Sequence, residues 1–248
     1  MKAIYLSLMC LSLLASCSSD SEIQQEITNQ NELEKLSASK INGDGIPENS
    51  SNPYDVAGVL HNELLSSYYE GKDSISNVEE VAYRLAAVAS ENANFTSLFP
   101  EGYSIISEKR MAYLLDHKQI PLGEVLHAPA LSQTAKNSLS YFSTALLSLG
   151  DSDADYIAVY NFIVDFENST WANPLLTAAD KKVLLITSSL ARHSAYAAKK
   201  KPKKNTDPEW DLLVGNRMGG AEGAGEGLAT AIIWSLTVGI VEYEGLLE

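Results

Sequence analysis

From residue 52 onward, apolar residues recur at intervals of three and four, and this spacing limits the fold of the chain more than any other feature. The clearest example is the set Ala135, Leu139, Phe142, Leu146 and Leu149, closed by Gly150. Such spacing places an apolar stripe on one face of an α-helix. No segment shows the sustained alternation of apolar and polar residues that is typical of strands. The sequence therefore predicts an all-α fold, an irregular bundle of six to eight helices.

Capping signals place the individual helices along the chain. The first is predicted to begin at Asn52-Pro53, with Asn52 as the N-cap, and to end at Gly71. The second follows Asn77, which forms a capping-box-like pair with Glu80. Further helices are expected over 105–118 and 135–149, after a cap at Asp153, and from Thr177 to about 198.

Residues 1–16 have the composition of an export signal. The basic start Met1-Lys2 precedes an apolar run from Ala3 to Ala15, which is shorter than the ~20 residues of a membrane-spanning helix. The run ends in Leu14-Ala15-Ser16-Cys17, which resembles the bacterial lipobox, where the cysteine is acylated and the signal is cleaved before it. Because Cys10 leaves with the signal, Cys17 becomes the only cysteine of the mature chain. We therefore expect Cys17 to carry a lipid anchor.

Residues 17–51 are predicted to form an acylated, disordered tether, followed by the helical domain over 52–248. The tether is poor in aromatic residues and rich in Ser, Asn, Gln and Glu, a composition that buries too little surface to fold. A flexible chain of this length reaches ~30–35 Å. The acidic piece 18–22 resembles the segment after the lipid cysteine of many Bacteroidota lipoproteins. An outer-membrane location is expected, with the cell surface and the periplasmic face both open.

The net charge of the chain limits the classes of partner that it can bind. There are 32 acidic and 18 basic residues, a formal net charge of −14. This balance excludes a nucleic-acid binder, which needs a basic surface to neutralise phosphates. It also predicts repulsion from anionic lipid surfaces, so membrane attachment is expected through acyl chains. The basic run at 199–204 is either a solvated linker or a contact for an acidic partner or a lipid head-group.

The C-terminal segment 215–241 combines a glycine repeat with an uncharged run. The glycines spaced by four are Gly215, Gly219, Gly223 and Gly227. On a helix this spacing forms a smooth strip that lets another helix approach closely. Three interpretations stay open for the strip and for residues 228–241: a buried central helix, a glycine loop before a short helix, and a membrane-active segment of bacteriocin type. Glu222 and Glu226 interrupt the strip, and the run is too short for a bilayer, which favours the buried helix.

Residues able to carry chemistry are sparse. The single Glu124–His127 pair is less than a di-iron bundle requires. Asp55, His61 and Glu63 form a possible functional or structural polar cluster in the first helix. His61 and Glu63 point about 200° apart on a helix, so they do not ligate one ion together. We predict no catalytic residue, no metal ligand and no cofactor.

The start of the first helix also carries a family resemblance. Asn52-Pro53-Tyr54-Asp55, followed by Gly58 and by His61-Asn62-Glu63, resembles the opening of a group of uncharacterised Bacteroidota lipoproteins. In that group this opening introduces an α-helical domain that ends in a Gly/Ala-rich apolar segment. The resemblance covers roughly 52–70 and 207–241, and it implies fold and location without an activity.

Several functions remain open at this point. The expected one is a membrane-tethered, non-enzymatic interaction domain that binds an unknown protein or small molecule. The first alternative is a hydrolase or metal-dependent enzyme assembled from dispersed groups such as Asp55, His61 and Glu124. The second is a membrane-active, bacteriocin-like C-terminal segment.

Overall fold

The computed structural model describes residues 47–71, 75–127, 131–152, 154–199 and 214–247. Within these ranges the chain forms ten α-helices and no strand, which confirms the predicted all-α bundle. The number exceeds the predicted six to eight because short helices at Ala93–Leu98 and Leu122–Val125 add to it. The helices are α1 Val56–Glu70, α2 Val78–Glu91, α3 Ala93–Leu98, α4 Glu108–Asp116, α5 Leu122–Val125, α6 Gln133–Asp151, α7 Tyr156–Ala172, α8 Ala178–Lys199, α9 Val214–Ala224 and α10 Leu228–Glu244. The predicted signal, Cys17, residues 17–46 of the tether and residues 200–204 of the basic run lie outside the described residues.

Local capping explains where several helices begin. Asn77 Oδ1 accepts the backbone N–H of Glu80 at 2.9 Å, and the Glu80 carboxylate accepts the backbone N–H of Ser76 at 2.8 Å. The helix α7 is capped by Asp155, whose Oδ1 accepts the N–H of Ala158 at 2.8 Å. The cap predicted at Asp153 lies outside the described residues. Each cap satisfies a backbone donor that the helix itself leaves without a partner.

The first helix begins later than predicted. It starts at Val56, and Asn52 is not its N-cap, so that prediction is wrong. The Asn52 side chain instead accepts the N–H of Tyr54 at 2.9 Å and donates to Glu167 Oε1 at 2.7 Å. The Asn52 side chain therefore forms a local bond through Oδ1 and a long-range bond through Nδ2.

The residues before the first helix belong to the fold. Residues 47–52, here called the N-terminal strap, lie against α7. The Tyr160 hydroxyl donates to the carbonyl of Glu48 at 3.1 Å, and Asn49 Nδ2 donates to Glu167 Oε2 at 2.7 Å. The described fold thus includes residues 47–51, which the sequence analysis places in the tether.

The centre of the bundle is built around α8 and α10. Residues 183–195 of α8 are buried on every side, and α10 is buried from Ala229 to Val241 apart from the partly exposed Trp234. The helix α10 packs against α9, α1, α2 and α8, so the uncharged C-terminal run forms a core helix. Among the described residues, no helix combines the length and the apolarity needed to span a bilayer.

Glycines on α9 bring its backbone into contact with that of α10. A Cβ atom added at Gly219 would lie 2.3 Å from the carbonyl oxygen of Trp234, and one at Gly223 would lie 2.8 Å from Ala231 Cα. At Gly215 the nearest backbone atom, the Val238 carbonyl oxygen, would lie at 2.9 Å. No side chain larger than hydrogen fits at these distances, so these positions need glycine for packing.

Gly227 does not belong to this contact, and its assignment to the strip is wrong. The helix α9 ends at Ala224, and Gly227 directly precedes α10, where a Cβ atom added to it would have no neighbour within 4 Å. The interval of four keeps residues on one face only while the helix continues. The turn at 225–227 ends that register.

Glu222 is explained by a contact on another face of α9. Its Oε1 accepts Arg110 Nε at 2.8 Å, and its Oε2 accepts the backbone N–H of His127 at 2.9 Å. Arg110 also donates through Nη2 to the carbonyl of Val125 at 2.9 Å. The carboxylate therefore joins α9 to α4 and to the segment after α5, next to the glycine contact with α10.

Candidate functional site

A buried guanidinium on α8 collects two carboxylates from other parts of the chain. Arg192 Nε lies 3.2 Å from Glu167 Oε2, and Nη2 lies 3.2 Å from Glu167 Oε1. The same Nη2 donates to Asp55 Oδ1. The exposed fraction of the side chain is 0% for Arg192, 1% for Glu167 and 7% for Asp55. The name Arg192 cluster is used below for Asn52, Asp55, Glu167, Ser188, Arg192 and His193.

Glu167 is satisfied by neutral donors as well as by Arg192. Its Oε1 accepts Asn52 Nδ2 at 2.7 Å and the Ser188 hydroxyl at 3.0 Å. Its Oε2 accepts Asn49 Nδ2 at 2.7 Å. A buried carboxylate is tolerated only when such donors replace its water. The strap therefore supplies two of the hydrogen-bond donors that replace water around the Glu167 carboxylate.

Asp55 is held between a histidine and the arginine. His193 Nε2 lies 3.1 Å from Asp55 Oδ1, and an ionised carboxylate only accepts, so Nε2 carries the hydrogen. Burial raises the pKa of Asp55, but the hydrogen bond from His193 and the charge of Arg192 outweigh it and hold that pKa below its ordinary value. Burial lowers the pKa of Arg192, and the carboxylates of Glu167 and Asp55 more than reverse this effect. Asp55 and Arg192 therefore stabilise each other in their charged forms.

Close packing of α1 on α8 accompanies these bonds. The Ser189 hydroxyl donates to the carbonyl of Asp55 at 2.9 Å and accepts the N–H of Gly58 at 3.1 Å. A Cβ atom at Gly58 would lie 2.2 Å from Cδ2 of His193. Gly58 thus gives the His193 ring the space it needs beside α1.

The predicted polar cluster of Asp55, His61 and Glu63 is divided by the fold. Asp55 belongs to the Arg192 cluster. Glu63 faces the start of α3, where its Oε2 accepts Asn94 Nδ2 at 3.2 Å. His61 is buried with its Nδ1 3.3 Å from Asn62 Oδ1, and its Nε2 has no hydrogen-bond partner among the described residues. These three side chains therefore lie in different surroundings.

Burial determines the charge of His61. It lowers the pKa of His61 to about 4, while the bond to Asn62 acts in the opposite direction and the nearby His193 lowers it further. His61 is therefore neutral at pH 7. A neutral, buried imidazole serves as a packing group of α1.

The other proposed chemical groups are not gathered around Asp55. Glu124 and His127 are exposed, one on α5 and one just after it. In the part of the chain that the structure describes, no group of three or more His, Cys, Asp or Glu residues is placed to hold a metal ion.

The Arg192 cluster acts as an internal clamp. Its carboxylates, guanidinium and imidazole are bonded to one another and lie within the bundle. These bonds join the strap and α1 to α7 and α8. Breaking one partner of such a buried pair is costly because the other charge is left behind. The Arg192 cluster therefore stabilises the packing of the strap and α1 against α7 and α8.

Sequence reasoning missed Glu167, Arg192 and His193. The overlooked signal is the charged Glu167, which occupies a position in the apolar stripe of α7. Glu167 follows Ile163 by four residues and precedes Thr170 by three, all on the buried side of α7. A charge in such a position predicts a buried partner elsewhere in the chain.

Comparisons with known proteins add no relative. Neither protein-family models nor curated proteins nor solved structures match this chain. The resemblance to the Bacteroidota lipoproteins therefore stays a prediction, and the function has to be inferred from the residues themselves.

Proposed function

We propose that this protein is an exported lipoprotein, held at the outer membrane by an acylated Cys17, and that its helical domain is a non-enzymatic binding module. The observation that carries the proposal is the Leu14-Ala15-Ser16-Cys17 ending of the N-terminal apolar run. Two or more acyl chains provide a stable anchor, because each buried methylene contributes ~0.8 kcal/mol.

The burial of the Arg192 cluster weighs against Asp55 as a catalytic group. Its acidic and basic side chains are among the most buried charged groups described, and they are bonded to one another. A general acid or base must reach a substrate proton. Asp55 is instead occupied by Arg192, by His193 and by the backbone N–H of Asn49 at 3.2 Å.

The anchor is tested by substituting Cys17→Ser in the full chain and separating membrane from soluble fractions. We expect the variant to leave the membrane fraction, because the acylated thiol is lost. The matched control is Cys10→Ser, which changes the other cysteine of the chain and is expected to leave the protein membrane-bound. Intact-mass measurement of the membrane form gives the second readout. An unmodified Cys17 at the mature N-terminus would refute the proposal.

A further inference from the structure

The end of the bundle where α7 meets α8 carries no charge in a protein that is acidic overall. Residues 168–179, here called the apex, contain no charged residue, although the chain has a net charge of −14. Two large apolar side chains stand out of it, Trp171 with 56% of its surface exposed and Leu175 with 75%. The apex is therefore an uncharged surface with an aromatic and an aliphatic side chain in solvent.

The acidic residues directly on either side of the apex in sequence, Glu167 and Asp180, are both buried. Asp180 is fully buried, and its two oxygens accept the N–H groups of Ser132 at 2.9 Å and Thr177 at 3.0 Å. Glu167, on the other border, is buried in the Arg192 cluster. The neighbouring start of α6, residues 131–137, adds Lys136 and no acidic residue. The two acidic side chains that flank the apex in sequence are thus both directed inward.

A lysine is paired with the exposed tryptophan. Lys181 Nζ donates to the carbonyl oxygen of Trp171 at 2.6 Å and lies 5.7 Å from the centre of its ring. Tryptophan is enriched at the level of lipid head-groups, where one part of the ring is apolar and the other is wet. Lysine next to it keeps its ammonium in the polar layer while its methylenes cover apolar surface.

The chain that comes from Cys17 enters the fold close to the apex. The strap residue Asn49 bonds to Glu167, which precedes Trp171 by four residues, or about 6 Å of helix rise. The segment between Cys17 and Pro47 spans at most ~100 Å when fully extended. An anchored Cys17 therefore allows the apex to reach the bilayer.

We propose that the apex is a membrane-contact surface, with Trp171 and Leu175 inserted at the head-group level of the bilayer that holds Cys17. This inference rests on the proposed lipid anchor and adds an orientation to it. The acidic remainder of the domain is repelled from an anionic leaflet, whereas the apex displays no charge that opposes contact. The domain then stands on the membrane with α7 and α8 directed toward it.

The test uses the mature chain beginning at Cys17, whose single thiol is coupled to a maleimide-bearing lipid in phosphatidylcholine vesicles. This chemical anchor replaces natural acylation, so the result does not depend on whether the cell acylates Cys17. Vesicles with brominated acyl chains quench tryptophans that enter the bilayer. We expect quenching in the wild-type chain, loss of most of it in Trp171→Phe, and a decrease in Leu175→Ser.

Tyr83→Ser is the matched control, because Tyr83 is 80% exposed on α2 and lies outside the apex. It is expected to keep the wild-type quenching, and circular dichroism checks that each variant folds. Quenching that persists in Trp171→Phe would assign the contact to another tryptophan and overturn the proposal. Absence of quenching in the wild-type chain would also overturn it and leave the apex as a surface for a protein partner. Neither result would alter the intact-mass test of Cys17 acylation.

Discussion

The α9–α10 hairpin and the Arg192 cluster hold helices together by opposite means. In the hairpin, Gly219 and Gly223 let the two backbones touch, so van der Waals packing carries this part of the contact. Beside it, the backbone N–H of Gly215 donates to Glu242 Oε2 at 2.7 Å. In the cluster, charged side chains hold the strap and α1 against α7 and α8. A core built entirely of helices thus depends on steric fit in one region and on charge balance in the other.

The two regions should therefore respond to different perturbations. Packing between backbones does not depend on proton binding, whereas buried ionisable groups couple stability to pH. Added volume should damage the hairpin most, and loss of a charge should damage the cluster most. Two substitutions test this contrast, and a third tests the pH dependence that His61 gives to α1.

The largest effect is expected for Arg192→Leu. The variant leaves Asp55 and Glu167 as buried carboxylates without their cation, and we expect the free energy of unfolding to fall by about 3–5 kcal/mol. Urea denaturation of the mature chain measures the change. Arg110→Leu is the control, because Arg110 pairs with Glu222 at a site where its own side chain is 22% exposed, and a smaller loss is expected. Equal losses in both variants would contradict a special role for the cluster.

Gly219→Leu tests the steric half of the comparison. The new side chain would meet the Trp234 carbonyl, which cannot move away as a flexible side chain can. We expect the free energy of unfolding to fall by about 3 kcal/mol, the upper part of the usual overpacking range. Ala87→Leu, at an exposed position in the middle of α2, is the control and should change stability little. A stable Gly219→Leu protein would show that α9 and α10 separate without cost.

The smallest effect concerns the pH dependence of α1. The pKa of His61 is about 4 in the fold, against an ordinary value of 6.5, so the unfolded chain binds more protons between these two pH values. Stability is then greatest above pH 6.5 and falls as the pH drops toward 4. At ~1.4 kcal/mol per pH unit, His61 accounts for at most about 3 kcal/mol of this loss.

His61→Leu should remove this part of the pH dependence and leave a flatter profile between about pH 7 and 4. His127→Gln, at an exposed histidine, is expected to keep the wild-type profile. Below this window Asp55 continues the loss, because its pKa in the fold lies below the ordinary value of 3.8. The unfolded chain then binds the proton first, so this part of the stability starts to fall near pH 3.8 and is lost as the pH passes the lower pKa of the folded state. A wild-type slope in His61→Leu would show that another group is responsible.

Much of the fold could be predicted from local sequence, because helices leave periodic and capping signals. The stripe from Ala135 to Leu149 and the cap at Asn77 both correspond to observed helices. Asn52 shows where this reasoning ends. Its Oδ1 accepts a local N–H, as the sequence suggests, but its Nδ2 donates to a carboxylate 115 residues away. No local pattern reports the position of that partner.

The candidate cluster was harder to predict for the same reason. Asp55 and His61 are close in sequence and occupy different surroundings, whereas Asp55 and Arg192 are far apart in sequence and bonded. Periodicity predicts which face of a helix is buried, but the pairing of two buried charges depends on how helices cross. The strip at Gly215, Gly219 and Gly223 was easier to predict because all three glycines and their spacing lie within one helix.

The position of Arg192 has a consequence for the order in which this chain acquires its structure. Asp55 and Arg192 are separated by 137 residues, and Asn49 and Glu167 by 118. As the chain emerges N-terminus first into the compartment where it folds, its first helix therefore waits for most of the remaining sequence before its carboxylate meets a cation. Contacts of such sequence separation form late, because a long loop must close before they stabilise anything. The N-terminal part of the domain should accordingly complete its folding only after α8 has emerged.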